Sequence, residues 1–175
     1  MRIAGIVQES IVDGPGLRMT VFTQGCPHRC PGCHNPDSHD ENGGQEMSVE
    51  EIIAQLDRSP LTCGLTLSGG DPMMQPEDCQ RLAEAAHERG WDVWTYTGYT
   101  WETLWQEGNP ERLALLRESD VLVDGPYMAA QSSYAAYFRG STNQRLIDVK
   151  RSLAAGEVQI LKRPSHLSHF SKPES

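Results

Sequence analysis

The chain lacks any apolar run near the ~20 residues that a membrane-spanning helix needs. Its opening stretch, MRIAGIVQES, is too short in apolar residues for a secretory signal and has no small-residue cleavage site. An excess of positive charge is also missing. With 15 Lys and Arg against 24 Asp and Glu, the net charge is −9, which excludes broad contact with phosphate backbones. No repeat recurs at a solenoid period. These absences point to a cytoplasmic protein with neither a membrane nor a nucleic-acid partner. In that compartment thiols stay reduced, so cysteines serve metals or catalysis more often than disulfides. There are five cysteines, an odd number.

What is present suits one globular domain: 175 residues, 38% hydrophobic and 22% charged. The expected domain covers 1–161, and the polar stretch 162–175 reads as a poorly ordered tail. Strand-like and helix-like segments alternate. RMTVFTQ (18–24) reads as the first strand, and the polar segment 34–46 as a loop. Ser48 and Glu51 form a capping box, with Met47 placed to staple onto Ile52. Val49, Ile52, Ile53 and Leu56 then give one apolar helix face. TCGLTLS (62–68) is a second strand. Pro76 opens a helix that stops before Gly90 and buries Cys79, Leu82, Ala83 and Ala86. WDVWTYT (91–97) is a third strand. Thr100 caps a short helix, Pro110 opens another through Arg117, and DVLVD (120–124) is a fourth strand. EVQIL (157–161) reads as a last strand.

Such alternation implies an α/β fold with parallel strands and right-handed crossovers. The length is short for a complete eight-unit barrel, so a partial, open β/α barrel or a doubly wound sheet is expected. The distinctive loops, GCPHRCPGC, GGDP, TGY and DGPY, each follow one of the four strands. Parallel strands would bring all four to one carboxyl edge, where ligands bind in α/β folds.

Cys26, Cys30 and Cys33 form C-x3-C-x2-C. Thiolates ordinarily hold an iron–sulfur cluster through four cysteines. Three on one loop can hold three irons of a four-iron cluster and leave the fourth open, as a catalytic metal keeps a position for substrate. The amine and carboxylate of an amino acid could chelate such an iron. Gly25 and Gly32 suit a curved loop, and Pro27 and Pro31 stiffen it. Zinc held by Cys26, Cys30, Cys33 and His28 or His34 is the alternative, although the spacing lacks two separated ligand pairs.

C-x3-C-x2-C after the first strand with Gly69-Gly70-Asp71-Pro72 after the second resembles the radical S-adenosylmethionine superfamily. Asp13-Gly14-Pro15-Gly16-Leu17-Arg18 and Cys33-His34-Asn35 resemble the glycyl-radical-enzyme activases within it. VWTYTGYTWETL (93–104), VLVDGPY (121–127) and RGSTNQR (139–145) are similar to the subgroup that activates anaerobic ribonucleoside-triphosphate reductase.

The resemblance implies a partial barrel of the radical-SAM type, a [4Fe-4S] cluster with one open iron, and S-adenosyl-L-methionine. It implies cleavage of that cofactor to a 5′-deoxyadenosyl radical, which abstracts hydrogen from a backbone glycine of the reductase. It also implies an electron donor such as flavodoxin or ferredoxin. Cys26, Cys30 and Cys33 would be the metal ligands. Gly69, Gly70 and Asp71 would contact the methionine moiety, while Gly32, Cys33 and His34 would lie by the adenine. Thr97 and Asp124, at strand ends, are further candidates for the cofactor, or else caps and turn formers. Asp13, Arg18, Arg139, Asn143 and Arg145 either bind cofactor or target, or form ordinary salt bridges. Cys63 and Cys79 read as core residues, as does Trp94. Trp101 and Trp105 share a helical face that could meet a partner. Two other readings stand beside this one: a radical enzyme acting on a small molecule, like 7-carboxy-7-deazaguanine synthase, and a non-catalytic iron–sulfur or zinc module.

Overall fold

The computed structural model describes residues 1–162. Seven strands form one sheet: β1 (Arg2–Ser10), β2 (Arg18–Thr23), β3 (Gln45–Glu46), β4 (Gly64–Gly69), β5 (Asp92–Tyr96), β6 (Val121–Asp124) and β7 (Arg145–Asp148). Their order is β3-β1-β2-β4-β5-β6-β7. The central four, β2, β4, β5 and β6, are parallel. β1 and β7 flank them antiparallel, and β3 extends the sheet beyond β1. The fold is thus an open α/β sheet with a parallel centre. Among the described residues no helix is long and apolar enough to cross a membrane.

Four α-helices lie between strands, α1 (Val49–Gln55), α2 (Pro76–Glu88), α3 (Trp101–Glu107) and α4 (Pro110–Glu118), and α5 (Val149–Ala155) follows β7. Their starts follow local chemistry. Ser48 and Glu51 exchange the reciprocal hydrogen bonds of a capping box at α1. Thr100 Oγ1 accepts from Thr103 N–H at α3, and Asn109 Oδ1 accepts from Glu111 and Arg112 N–H ahead of Pro110 at α4. Asp148 caps α5.

Period-two alternation sorts the sheet into two faces. Met19 and Val21 of β2, Leu65 and Leu67 of β4, Val93 of β5 and Leu122 of β6 join the core formed with Ile52, Cys79, Leu82, Ala86, Leu115 and Leu116 of the helices. The intervening positions turn to the other face. Trp94, Val121, Val123 and Leu146 make a second cluster there, with Tyr96 and Phe138 against it. At the other end of this face, Arg18 is wholly buried. Its guanidinium donates to Thr66 Oγ1, the carbonyls of Pro15 and Leu65, and Asp92 at 2.9 Å. It is a structural arginine holding β2, β4 and β5 together below the ligand-facing edge.

Several expectations need correction. The strand at Arg18–Thr23 is the second, because Arg2–Ser10 pairs antiparallel with it. The segment 34–46 carries a single 3-10 turn at Pro36–Ser38 and ends in β3. EVQIL is no strand: Ile160 makes one isolated bridge to Ile147, and the last strand among the described residues is β7. Cys63 is exposed because it precedes the first paired residue of β4, whereas Cys79 is buried as expected. Trp101 is buried, and Trp105 packs against the same core under Arg117 (5.1 Å), so that helix face turns inward. Of the expected tail, residues 163–175 lie outside the described residues.

Candidate active site

The parallel strands deliver their loops to one edge, as the alternation of motifs implies. A cavity of about 730 Å³ opens there, lined by Cys26, Cys30, Cys33 and His34 from the loop after β2. Ser68, Gly69 and Gly70 line it from the end of β4, Thr97 and Gly98 from β5, and Gly125 and Tyr127 from β6. Phe22 and Tyr96 form part of its floor, while Ile11, Val12 and Tyr134 stand at its exposed rim.

The cysteine loop has little regular structure. Gly25 N–H donates to the Ser38 carbonyl and Cys26 N–H to the His39 carbonyl, which pin its start. Within it, Cys33 N–H donates to the Cys30 carbonyl at 3.1 Å. Arg29 and Gly32 both have positive φ, at 47° and 74°, and so turn the chain sharply enough to present the thiols on one side. All five cysteines are free thiols. Burial pushes the Cys26 thiol above its ordinary range, and the nearby backbone of His28 and Arg29 only partly offsets this. A bound metal would therefore supply the drive to deprotonate it.

The second loop is docked tightly onto the first. Gly70 N–H donates to the Thr23 carbonyl at 2.7 Å and Asp71 N–H to the Gly25 carbonyl at 2.8 Å. A Cβ at Gly70 would lie 2.8 Å from the Gly25 carbonyl carbon, so only glycine allows this approach. The Asp71 carboxylate is completely buried and accepts four hydrogen bonds. Met73 N–H donates to Oδ1 at 2.9 Å. Thr97 Oγ1 and Gly98 N–H each lie 3.0 Å from Oδ2, and His28 Nε2 lies 2.7 Å from the same oxygen. Such a carboxylate has no accessible face left for a ligand. It is the junction at which the loops after β2, β4 and β5 meet.

Of the residues singled out from the sequence, the three cysteines, His34, Gly69, Gly70 and Thr97 line the cavity. Gly32 sits just behind it, with Tyr127 and Ala129 beside it. Asp71 serves from within, as described. Asp124 lies apart from the lining: its carboxylate accepts from Trp101 N–H at 2.8 Å and from Arg145 at 2.6 Å, with Glu102 on the outer side of the same guanidinium. It is engaged as a cap and in an ion pair. Arg139 lines the cavity, its Nε buried without a partner, whereas Asn143 donates to the Pro126 carbonyl from behind. Asp13 lines the cavity while holding Ser10 Oγ and Thr20 Oγ1.

Two contributors were not legible as such. The Tyr127 ring lies with its centroid 4.8 Å from that of His34, tilted 48° to it. His28, which spacing offers only as a zinc ligand, lines the cavity with its Nε2 2.7 Å from Asp71 Oδ2.

The donor set fits an iron–sulfur cluster. Three free thiols face one cavity, and His28, which also lines it, is hydrogen-bonded to Asp71. Among the described residues, no three His, Cys, Asp or Glu side chains converge on the position of a single ion. A cluster places each thiolate on its own iron.

Comparison with known proteins agrees. The family profile described as "4Fe-4S single cluster domain" matches residues 12–147. The anaerobic ribonucleoside-triphosphate reductase-activating protein of Salmonella typhi is 37% identical over 142 residues, spanning 77% of this chain and 90% of that one. The protein of the same name from Vibrio cholerae is 39% identical over 145 residues, spanning 77% and 89%. Among solved structures, QueE from Escherichia coli superposes with a TM-score of 0.45 at 16% identity, over 57% of this chain and 53% of that one, a likeness too slight to bear on the reaction. With a domain profile over most of its length and relatives matched nearly end to end, the chain belongs to the 4Fe-4S family of anaerobic ribonucleoside-triphosphate reductase-activating proteins.

Proposed function

We propose that the chain is an activase that uses a [4Fe-4S] cluster and S-adenosyl-L-methionine to install the glycyl radical of anaerobic ribonucleoside-triphosphate reductase. The observation that carries this reading is the single cavity in which three free thiols face the backbone of Gly69-Gly70. Cys26, Cys30 and Cys33 would hold three irons and leave the fourth without a protein ligand. When bound, the reduced cluster and its cofactor supply a 5′-deoxyadenosyl radical, which takes a hydrogen atom from the target glycine.

The chain's own residues bind, orient and enclose. Gly69 and Gly70 offer backbone carbonyl and N–H groups to the methionine end of the cofactor, because no side chain keeps it away. His34 and Tyr127 offer their rings to the adenine, next to Gly32. Thr97 acts by support: its hydroxyl donates to Asp71 and accepts from Tyr99 N–H at 3.1 Å. Asp71 likewise acts on the loops. Asp124 is no cofactor ligand in this reading, because Arg145 and Trp101 N–H already hold it. The open side of the cavity, rimmed by Ile11, Val12 and Tyr134, is where the target's glycine would enter. A flavodoxin or ferredoxin would supply the electron in a reducing cytoplasm.

The test is anaerobic reconstitution with iron and sulfide, reduction, and mixing with cofactor and the reductase. A glycyl radical doublet in the electron paramagnetic resonance spectrum is the expected outcome. Cofactor cleavage without a radical on any glycyl-radical enzyme would refute the assignment.

A further inference from the structure

The role of His28 is unexplained by metal binding. It lies two residues from Cys26 and two from Cys30, yet its ring points to the buried carboxylate of Asp71. Three features hold it there. Nε2 is 2.7 Å from Asp71 Oδ2, and the side chain is 18% exposed against 0% for Asp71. The ring packs edge-on against Tyr99, with centroids 4.6 Å apart at 76°. Gly98 leaves room for it: a Cβ there would lie 2.7 Å from His28 Cγ, and no positive φ accounts for that glycine.

This contact has a mechanical consequence. Between Cys26 and Cys33 the described backbone makes one internal hydrogen bond, so the middle of the loop is not held by regular structure. His28 is the side chain that fastens it to the rest of the edge. The atom it grips belongs to the residue next to Gly70, which lines the cavity. The same carboxylate oxygen receives Thr97 Oγ1 and Gly98 N–H.

We infer that His28 is a positioning residue whose imidazole, held by Asp71 and seated over Gly98, sets the register between the cysteine loop and the Gly69-Gly70 backbone. The register fixes where a cluster on the cysteines stands relative to the methionine end of the cofactor. This inference rests on the activase reading above and adds a residue to it.

The experiment compares full-length wild type with His28→Gln, His28→Asn and Gly98→Ala, each reconstituted anaerobically. Iron and sulfide per chain are measured first. The reduced clusters are then titrated with S-adenosyl-L-methionine and followed by electron paramagnetic resonance. Gln can place its amide N–H about where Nε2 lies; Asn falls short. A hydrogen bond to a charged group contributes ~1.5–3 kcal/mol, which corresponds to about a tenfold to hundredfold change in half-saturation. His28→Asn and Gly98→Ala are expected to retain wild-type iron and to show that weakening, with His28→Gln close to wild type. Wild-type titrations for His28→Asn and Gly98→Ala would overturn the inference. So would a His28→Gln as weak as His28→Asn, or iron lost from His28→Asn, since the role would then be loop integrity alone. A wild-type cluster indifferent to the cofactor would instead refute the activase reading itself.

Discussion

Replacing Asp71 should unfold the apoprotein more readily, by an amount the four hydrogen bonds define. Two of the donors are enclosed, Met73 N–H and Thr97 Oγ1, and two are partly open to water, His28 Nε2 and Gly98 N–H. An enclosed donor left without a partner costs ~1–3 kcal/mol, whereas a donor reached by water costs little. Asp71→Ala therefore loses about 2–6 kcal/mol, a large share of the ~5–15 kcal/mol typical of a domain. Asp71→Asn keeps Oδ1 for Met73 N–H but turns an amide toward three donors. Its loss should be about 1–3 kcal/mol, near half that of alanine. The assay is urea denaturation of the apoprotein under reducing conditions, reading the midpoint at constant slope. Losses below about 0.5 kcal/mol for both variants would refute the junction. An Asn variant as unstable as Ala would show that the charge, and not the Oδ1 contact, is what matters.

Three further outcomes follow from other parts of the molecule. Arg145→Met should cost about 2–4 kcal/mol, because Asp124 is 1% exposed and keeps only Trp101 N–H; exposure of a third of Arg145 places this below the cost for a fully enclosed pair. Part of that loss should return in Arg145→Met/Asp124→Asn, measured as a double-mutant cycle. His87 packs between Glu118 (2.7 Å) and Asp120 (2.8 Å), with Lys150 beyond Asp120. Burial works against its charge, but the hydrogen bonds to Asp120 and Glu118 outweigh this and raise its pKa. The stabilisation is thus whole below the unfolded value of about 6.5 and fades as pH rises through the folded one. The urea midpoint of wild type relative to His87→Gln should fall as pH rises above about 6.5 and through the raised folded value, and a constant difference would contradict this. Alanine at Cys26, Cys30 or Cys33 should deplete iron, while Cys63→Ser, at an exposed position, should hold the wild-type content.

The parallel centre of the sheet was legible because each of its strands alternates between two buried faces and runs into a glycine at its end or within two residues of it. Helix starts were legible because capping chemistry is local. β1 was not: Gly5 interrupts it, and Ile3 and Ser10 are its only fully buried residues, so the alternation is weak. EVQIL has the composition of a strand, yet pairing depends on a neighbour, and its contact with β7 is a single isolated bridge at Ile160, bounded by hydrogen bonds at Gln159 and Leu161. Helical spacing placed Trp101 and Trp105 together but could not say whether their face turned in or out. At the candidate site the thiols and glycines were evident from spacing. The Asp71 junction was not, because His28 and Asp71 lie 43 residues apart and Asp71 and Thr97 lie 26 apart. A histidine between two cysteines looks locally like a ligand, and its contact with Asp71 is visible only in the tertiary structure.

The most direct test of the central claim is isotopic. The reductase is prepared with deuterated glycine and mixed anaerobically with the reconstituted, reduced chain and unlabelled S-adenosyl-L-methionine. The 5′-deoxyadenosine formed is then examined by mass spectrometry. An activase should return it with one deuterium from the target glycine, together with a glycyl radical doublet, and neither should form with Cys33→Ala. Unlabelled 5′-deoxyadenosine from wild type, released while the reductase stays without a radical, would contradict the claim.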